Sequence, residues 1–184
     1  MKTHVALAAS VFIALGCFTV VRAAEQANDP QEEQKEFVHE AASGNNMEVQ
    51  VGQFVAAHTQ NAQTKQLAQT LVQDHTRSQE QLKQAAQKAG VAFDDSLTPE
   101  HQAMLAELEK KSGKELDREF AFSAIADHHK DILEFTYASK NLPNSFLKQY
   151  ASLSLPVLQK HLHMADALAQ AVASVKDPSA ASER

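Results

Sequence analysis

Apolar residues recur at steps of three and four along four long stretches of the chain, which is the spacing of one face of an α-helix. Polar residues, glycine and proline separate these stretches. We therefore predict four long helices: Pro30 to about His58, Asn61 to Gly90, about Lys114 to Asn141, and Ser145 to about Lys176. A shorter helix is predicted to begin at Thr98-Pro99 and to stop at Gly113.

The residues at the predicted helix ends favour these boundaries. Asp29-Pro30 combines a capping side chain with proline at the first helical position, and Gly90 suits a helix C-terminus. Short turns join the first two long helices and the last two, so each pair is expected to be antiparallel. The short helix lies in the longer crossover between the pairs. The sequence thus predicts an all-α, antiparallel four-helix bundle of ferritin-like connectivity over residues 31–176.

The apolar stripe of each long helix is expected to face the core. On the last helix, the predicted stripe is Phe146, Tyr150, Leu153, Val157, His161, Met164, Leu168 and Val175. The stripes of the other three helices have the same spacing.

The N-terminus follows a different pattern. Lys2 and His4 precede an apolar run that ends at Val21, and Val21-Arg22-Ala23 matches the small-x-Ala cleavage pattern. We predict a secretory signal peptide over residues 1–23, a flexible lead-in over 24–30 and a polar tail over 177–184. The expected location is the periplasm. An uncleaved signal that anchors the chain in the membrane, or a lipoprotein modified at Cys17, remain alternatives.

Composition and charge exclude several classes of function. The chain has a formal net charge of −6 and no cluster of Lys or Arg, so we expect it to bind neither nucleic acid nor, strongly, an anionic membrane surface. Protein partners and oligomeric state stay open. Cys17, the only cysteine, lies in the predicted signal, so a mature chain has no thiol. There is no nucleophile elbow and no glycine-rich phosphate loop, and the sequence predicts no particular enzymatic activity.

Each apolar stripe holds one strongly polar residue near its middle: Glu48, His75, His128 and His161. Counted from the nearest turn, the two polar residues of each hairpin lie within ~3 to ~5 Å of one level. Because burying such groups unpaired is costly, they are expected to satisfy one another or to bind a cation. Three imidazoles and one carboxylate suit a single divalent transition metal: zinc, manganese, iron or copper. Candidates for orienting the imidazoles are Asp74, Asp127 and Asp131.

Two alternatives to a metal site stay open. The polar layer could only fix helix register in a non-enzymatic envelope stress or structural protein. It could also sense acid, because buried histidines that become charged near pH 6 would destabilise or switch the bundle.

An ordered set of short motifs resembles a known family. The motifs are Phe37 and Glu48, Asp74-His75, Leu116-Asp117, His128, Leu155-Pro156 and His161-Leu162. They are similar to the domain of unknown function 4142, a family of exported bacterial proteins that is grouped with the ferritin-like superfamily and often titled putative membrane or outer-membrane proteins. The resemblance covers roughly residues 31–172 and implies fold and export, but no activity. Because Val72 and Leu158 stand three residues before His75 and His161, the Glu-x-x-His motif of di-iron bundles is missing and a di-iron centre is not expected.

Overall fold

Five α-helices make up the part of the chain that the computed structural model describes, residues 29–174. They are α1 (Pro30–His58), α2 (Ala62–Ala89), α3 (Pro99–Leu108), α4 (Gly113–Asn141) and α5 (Ser145–Ser174). Helix covers 86% of these residues and no strand occurs among them, which confirms the prediction of an all-α fold. Within the same range, no helix combines the length and the apolar character needed to cross a membrane.

Several predictions concern residues outside this range. Four predicted features lie outside the described residues: the signal peptide over 1–23 with Cys17, residues 24–28 of the lead-in predicted over 24–30, the end of the last helix with Val175 and Lys176, and the tail over 177–184. These stay predictions. Pro30, the last residue of the predicted lead-in, begins α1.

Local side chains set most of the helix ends. The carboxylate of Asp29 accepts a hydrogen bond at the start of α1, the Asn61 side chain accepts two at the start of α2, and Thr98 accepts one at the start of α3. Gly90 ends α2 with a φ of 71°, a left-handed conformation that glycine adopts without steric cost. These four positions agree with the sequence pattern.

One predicted boundary was wrong. The short helix α3 ends at Leu108, not at Gly113. The N–H of Lys111 donates to the carbonyl of Leu108 and closes a turn, after which Gly113 begins α4 with a φ of 55°. Glycine therefore serves here to start a helix in a new direction, and the pattern alone did not distinguish this from a helix end.

Two antiparallel helical hairpins, α1–α2 and α4–α5, pack side by side. Within each hairpin, residues near the start of one helix share an apolar cluster with residues near the end of the other. The hairpins meet mainly through α2 and α5, and to a smaller extent through α1 and α4, while α3 lies against α1 and α4. Gly52 allows close approach within the first hairpin, since a Cβ there would lie 2.7 Å from Cγ2 of Val72 and 2.8 Å from the carbonyl oxygen of Ala68.

The apolar core consists of two clusters, one on each side of a polar level. One cluster includes Val51, Val55, Leu67, Leu71, Phe120, Ala124, Ala165 and Leu168. The other includes Phe37, Val38, Leu82, Ala85, Phe135, Leu147, Tyr150 and Leu158. On α2, α4 and α5, a buried histidine lies between the residues of one cluster and those of the other. The polar level is thus enclosed by apolar packing on both sides.

The stripe predicted for the last helix was partly wrong. Phe146, Leu153 and Val157 are 42%, 67% and 39% exposed. The residues of α5 that pack inward are Leu147, Tyr150, Ala151, Leu158, His161, Ala165, Leu168, Ala169 and Val172. Several of these are alanines, whose small side chains suit close packing of α5 but contribute little to a hydrophobic pattern.

Candidate metal centre

Three buried imidazoles meet between the two apolar clusters. His75 belongs to α2, His128 to α4 and His161 to α5, and their ring centroids are 5.2 to 5.7 Å apart. One nitrogen of each ring lies within 4.8 Å of a nitrogen of both other rings. The three residues are 4%, 0% and 1% exposed. The structure therefore brings the three predicted histidines together at one level of the core.

Two of the imidazoles each face an oxygen that can only accept a hydrogen bond. Nδ1 of His128 lies 2.8 Å from the carbonyl oxygen of Ala124, and Nε2 of His161 lies 3.0 Å from Oδ2 of Asp74. A carbonyl and an ionised carboxylate have no hydrogen to give, so these two nitrogens are the donors.

The third imidazole is oriented by Asn45. Nδ1 of His75 lies 2.9 Å from Oδ1 of Asn45. The amide nitrogen of Asn45 donates to Gln79 and to the hydroxyl of Tyr150, so its oxygen is the acceptor and Nδ1 of His75 is the donor. Sequence reasoning missed Asn45. Its position three residues before Glu48, on the same face of α1, is the signal that could have identified it.

The remaining nitrogen of each neutral ring carries a lone pair. Nε2 of His128 and Nδ1 of His161 are 3.2 Å apart, and neither has a hydrogen for the other once the opposite nitrogens are donors. Nε2 of His75 is buried and has no hydrogen-bond partner within residues 29–174. Neutral imidazoles in one buried cluster, each held by a bond from its second nitrogen, are the arrangement that binds transition metals in proteins.

Burial keeps these imidazoles neutral. It lowers the pKa of His128 to about 4 and holds the pKa of His75 well below its usual value, which the neighbouring imidazoles lower further. Burial also lowers the pKa of His161, although its hydrogen bond to Asp74 opposes this shift. Near neutral pH, all three rings are therefore in the uncharged form that ligates metals.

Asp74 stays ionised beside the cluster. Burial raises the pKa of this carboxyl group, but the hydrogen bond from His161 and the positive charge of Lys160 act against burial, and the pKa is lowered overall. Asp74 therefore has the position and the charge to hold His161 in one tautomer.

Glu48 lies beside only one of the three histidines. Its Oε1 is 3.8 Å from Nδ1 of His128, the nitrogen opposite the one that faces His161. Glu48 forms a second close group with Asp127 and His128. Burial raises the pKa of Glu48 well above its usual value, and the charge of Asp127 raises it further. The four residues predicted to form one ligand set are thus divided between two sides of His128.

The three aspartates that we expected to orient the imidazoles lie in different places. Among them, only Asp74 hydrogen-bonds an imidazole in the described part of the chain. Asp127 lies beside Glu48, and Asp131 lies half-buried near Asp127, whose charge, together with burial, raises the pKa of Asp131 well above its usual value. Consecutive helix residues point about 100° apart, so closeness in sequence to His128 did not place them on its ring.

A cavity of about 270 Å³ reaches the histidine cluster. Its wall includes His75, His161 and Asp74, together with the apolar side chains of Leu153 and Val157. The cluster is therefore buried but has a route by which an ion or a small molecule can approach two of its rings.

The other histidines contribute elsewhere. His101 is 3% exposed, and its Nδ1 lies 2.7 Å from the hydroxyl of Ser43, which also accepts a bond from the N–H of Thr98. This contact fastens α3 to α1, and its burial was not predicted, because it depends on how the crossover folds back. His129 and His163 are exposed.

The fold and the cluster define an all-α protein with three histidines enclosed in its core. The family model described as "Domain of unknown function (DUF4142)" matches residues 19–168 of the chain. The chain belongs to this family, which confirms the resemblance seen in its motifs. No curated protein and no solved structure matches the chain.

Proposed function

We propose that this protein binds one divalent transition metal ion through His75, His128 and His161. The observation that supports the proposal is the arrangement of hydrogens. Each ring donates from one nitrogen to its own acceptor, which leaves three lone pairs in a buried cluster. Without a cation, two of these nitrogens lie 3.2 Å apart with no hydrogen between them.

Zinc is the ion that this donor set suits best. Three neutral imidazoles are a common zinc ligand set, and tetrahedral coordination then leaves a fourth position for water or another small ligand. Copper, iron and manganese remain candidates on the same ligands. Since the cavity beside His75 and His161 supplies access, the fourth position is proposed to face it. We assign no reaction to the ion, and we propose a non-enzymatic binding role.

The scaffold is proposed to be a ferritin-like four-helix bundle exported to the periplasm. Two antiparallel hairpins with α3 in the crossover support this connectivity, as do the contacts of α2 with α5 and of α1 with α4. The leader pattern of residues 1–23 supports export. N-terminal sequencing of the periplasmic fraction tests the second point, and a mature chain beginning at Ala24 or Glu25 is expected.

The metal proposal is tested on tag-free protein by native mass spectrometry and calorimetric zinc titration. We expect one zinc ion per chain, and loss of this site in His161→Gln. The matched control is His163→Gln, which changes an exposed histidine on the same helix and should bind zinc like the wild type. Wild-type protein that neither retains nor takes up zinc, copper or iron, and binds no manganese that His161→Gln loses, would rule the site out.

Acid sensing is a second candidate, favoured by the lowered pKa values of the three rings. His128 has a pKa of about 4, so protonation of the cluster is expected below pH 6 and not near it. Protonating one ring would place a positive charge inside the apolar core next to two other imidazoles. The pH dependence of stability described in the Discussion tests this candidate.

A further inference from the structure

A second polar group lies on the other side of His128, and the proposed histidine site does not use it. Glu48 and Asp127 are 3% and 5% exposed. Within residues 29–174, no other group donates a hydrogen bond to Oε2 of Glu48 or Oδ2 of Asp127, and the two carboxyl groups can bond each other only when one of them carries a proton. Oxygens of both side chains and a nitrogen of His128 lie within 4.8 Å of one another. Two ionised carboxylates buried this way are strongly unfavourable unless a proton or a metal cation joins them.

The basic groups around this pair, Lys130, His101 and His128, have hydrogen-bond partners elsewhere. Lys130 pairs with Glu100 at 3.2 Å, and His128 donates its Nδ1 hydrogen to the carbonyl of Ala124. Among the described residues, the one ion-pair contact of Glu48 is its 3.8 Å approach to neutral His128, and Asp127 has none. No lysine or arginine of residues 29–174 forms an ion pair with either carboxyl group, so a metal cation would compete only with the proton that the two groups can share.

We propose that Glu48 and Asp127 bind a second divalent cation, of the hard class represented by manganese and magnesium. Carboxylate oxygens are the ligands that these ions prefer. Both residues line a cavity of about 270 Å³ between α1, α3 and α4. This cavity has room for the water ligands that hard cations retain.

The second site is distinct from the histidine site. Nε2 of His128 faces His161, while its Nδ1 faces Glu48, so the two groups lie against opposite edges of one ring. An ion bound to the lone pair of Nε2 would therefore lie on the side of the ring away from Glu48, which could not be its ligand. The two sites also differ in chemistry, since imidazole nitrogens favour zinc and carboxylate oxygens favour manganese. The second site does not depend on the first.

The test is a manganese titration followed by electron paramagnetic resonance, in which bound Mn²⁺ loses the six-line signal of the free ion. We expect one bound Mn²⁺ per chain in protein that already holds one equivalent of zinc. Glu48→Gln and Asp127→Asn should each weaken manganese binding about tenfold or more while zinc binding stays intact. His161→Gln should weaken zinc binding and leave manganese binding intact. The matched control is Glu119→Gln, because Glu119 is exposed and lines the same cavity.

Three results would overturn the proposal: no manganese binding by folded wild-type protein, displacement of all bound manganese by one equivalent of zinc, or wild-type manganese affinity in folded Glu48→Gln. Circular dichroism establishes that each variant is folded. If neither carboxylate variant folds, the joint zinc and manganese stoichiometry of the wild type decides. If the wild type binds manganese but not zinc, only the histidine site is refuted. If it binds zinc but not manganese, only the carboxylate site is refuted.

Discussion

The two sides of His128 meet the cost of burying polar groups in different ways. On the histidine side, each ring has a dedicated acceptor: Asn45, Ala124 or Asp74. On the carboxylate side, Glu48 and Asp127 each keep a buried oxygen without a donor. The histidine side is thus organised by the chain before any ion arrives, whereas the carboxylate side requires protons or a cation from outside. The difference shows that one polar layer can hold both a preorganised site and an unsatisfied one.

Replacing the ring that separates the two sides should have the largest effect. In His128→Leu, zinc loses a direct ligand, so affinity should fall by more than the roughly 10- to 100-fold that follows loss of an orienting partner. Leucine fits an apolar core, and the helix content should persist. Calorimetric zinc titration measures the change, with the exposed neighbour His129→Gln as control. Wild-type zinc affinity in His128→Leu would contradict the proposed site.

Acid should destabilise the histidine side of the metal-free protein. Because the pKa of His128 is about 4 when folded and about 6.5 when unfolded, the unfolded chain binds an extra proton between these values. The free energy of unfolding should therefore fall as pH drops from 6.5 to 4, by up to about 3 kcal/mol for this ring.

The carboxylate side should respond with the opposite sign. Burial raises the pKa of Glu48, so protonation of this group favours the folded state as pH falls. Glu134, which lies elsewhere on α4, acts in the same direction, because burial raises its pKa to about 7. Urea denaturation at pH 7, 5.5 and 4 should be compared between the wild type and His128→Leu, because the difference isolates the imidazole. Parallel profiles of the wild type and His128→Leu would refute acid sensing through this ring.

Removing an orienting acceptor should weaken the histidine side without removing a ligand. Asp74→Asn replaces the carboxylate that fixes His161, and zinc affinity should fall about 10- to 100-fold. Asp166→Asn makes the same change of charge at a half-buried position on α5 and should leave zinc binding unchanged. Equal zinc affinities in the two variants would show that Asp74 does not orient the site.

The smallest effect is expected from substitutions of glycines on α1, which change the packing of the helices and none of the proposed metal ligands. Gly52→Ala places a Cβ 2.7 Å from Val72 and should destabilise the first hairpin by about 1 to 3 kcal/mol. At Gly44, the nearest atom is 3.7 Å away on His101, so Gly44→Ala should be neutral or stabilising by about 0.5 to 1 kcal/mol. Thermal unfolding compares the two variants, and equal midpoints would contradict this view of α1 and α2.

Features carried by one or two neighbouring residues were predictable from the sequence. Asp29, Asn61 and Thr98 cap the helices that their types predict, and the spacing of His75, His128 and His161 from the turns brought them to one level. These features depend on helix geometry, which is the same in every protein.

Features that depend on packing between helices were not predictable in the same way. Glu48 has the correct height but lies against the other edge of His128, because a count of residues gives the level along a helix and not the direction around the core. Asp127 shows the same effect. It is next to His128 in sequence, but His128 faces the other histidines whereas Asp127 faces Glu48. His101 is buried only because the crossover returns to Ser43.

The three histidines come from α2, α4 and α5, and therefore from both halves of the molecule. An ion bound to all of them would be a cross-link between segments far apart in sequence, and it would stabilise the native state in proportion to the free metal concentration. Demetallation would then let the halves separate more often and expose the chain to proteolysis. Through this connection, the supply of metal would govern how long each molecule survives.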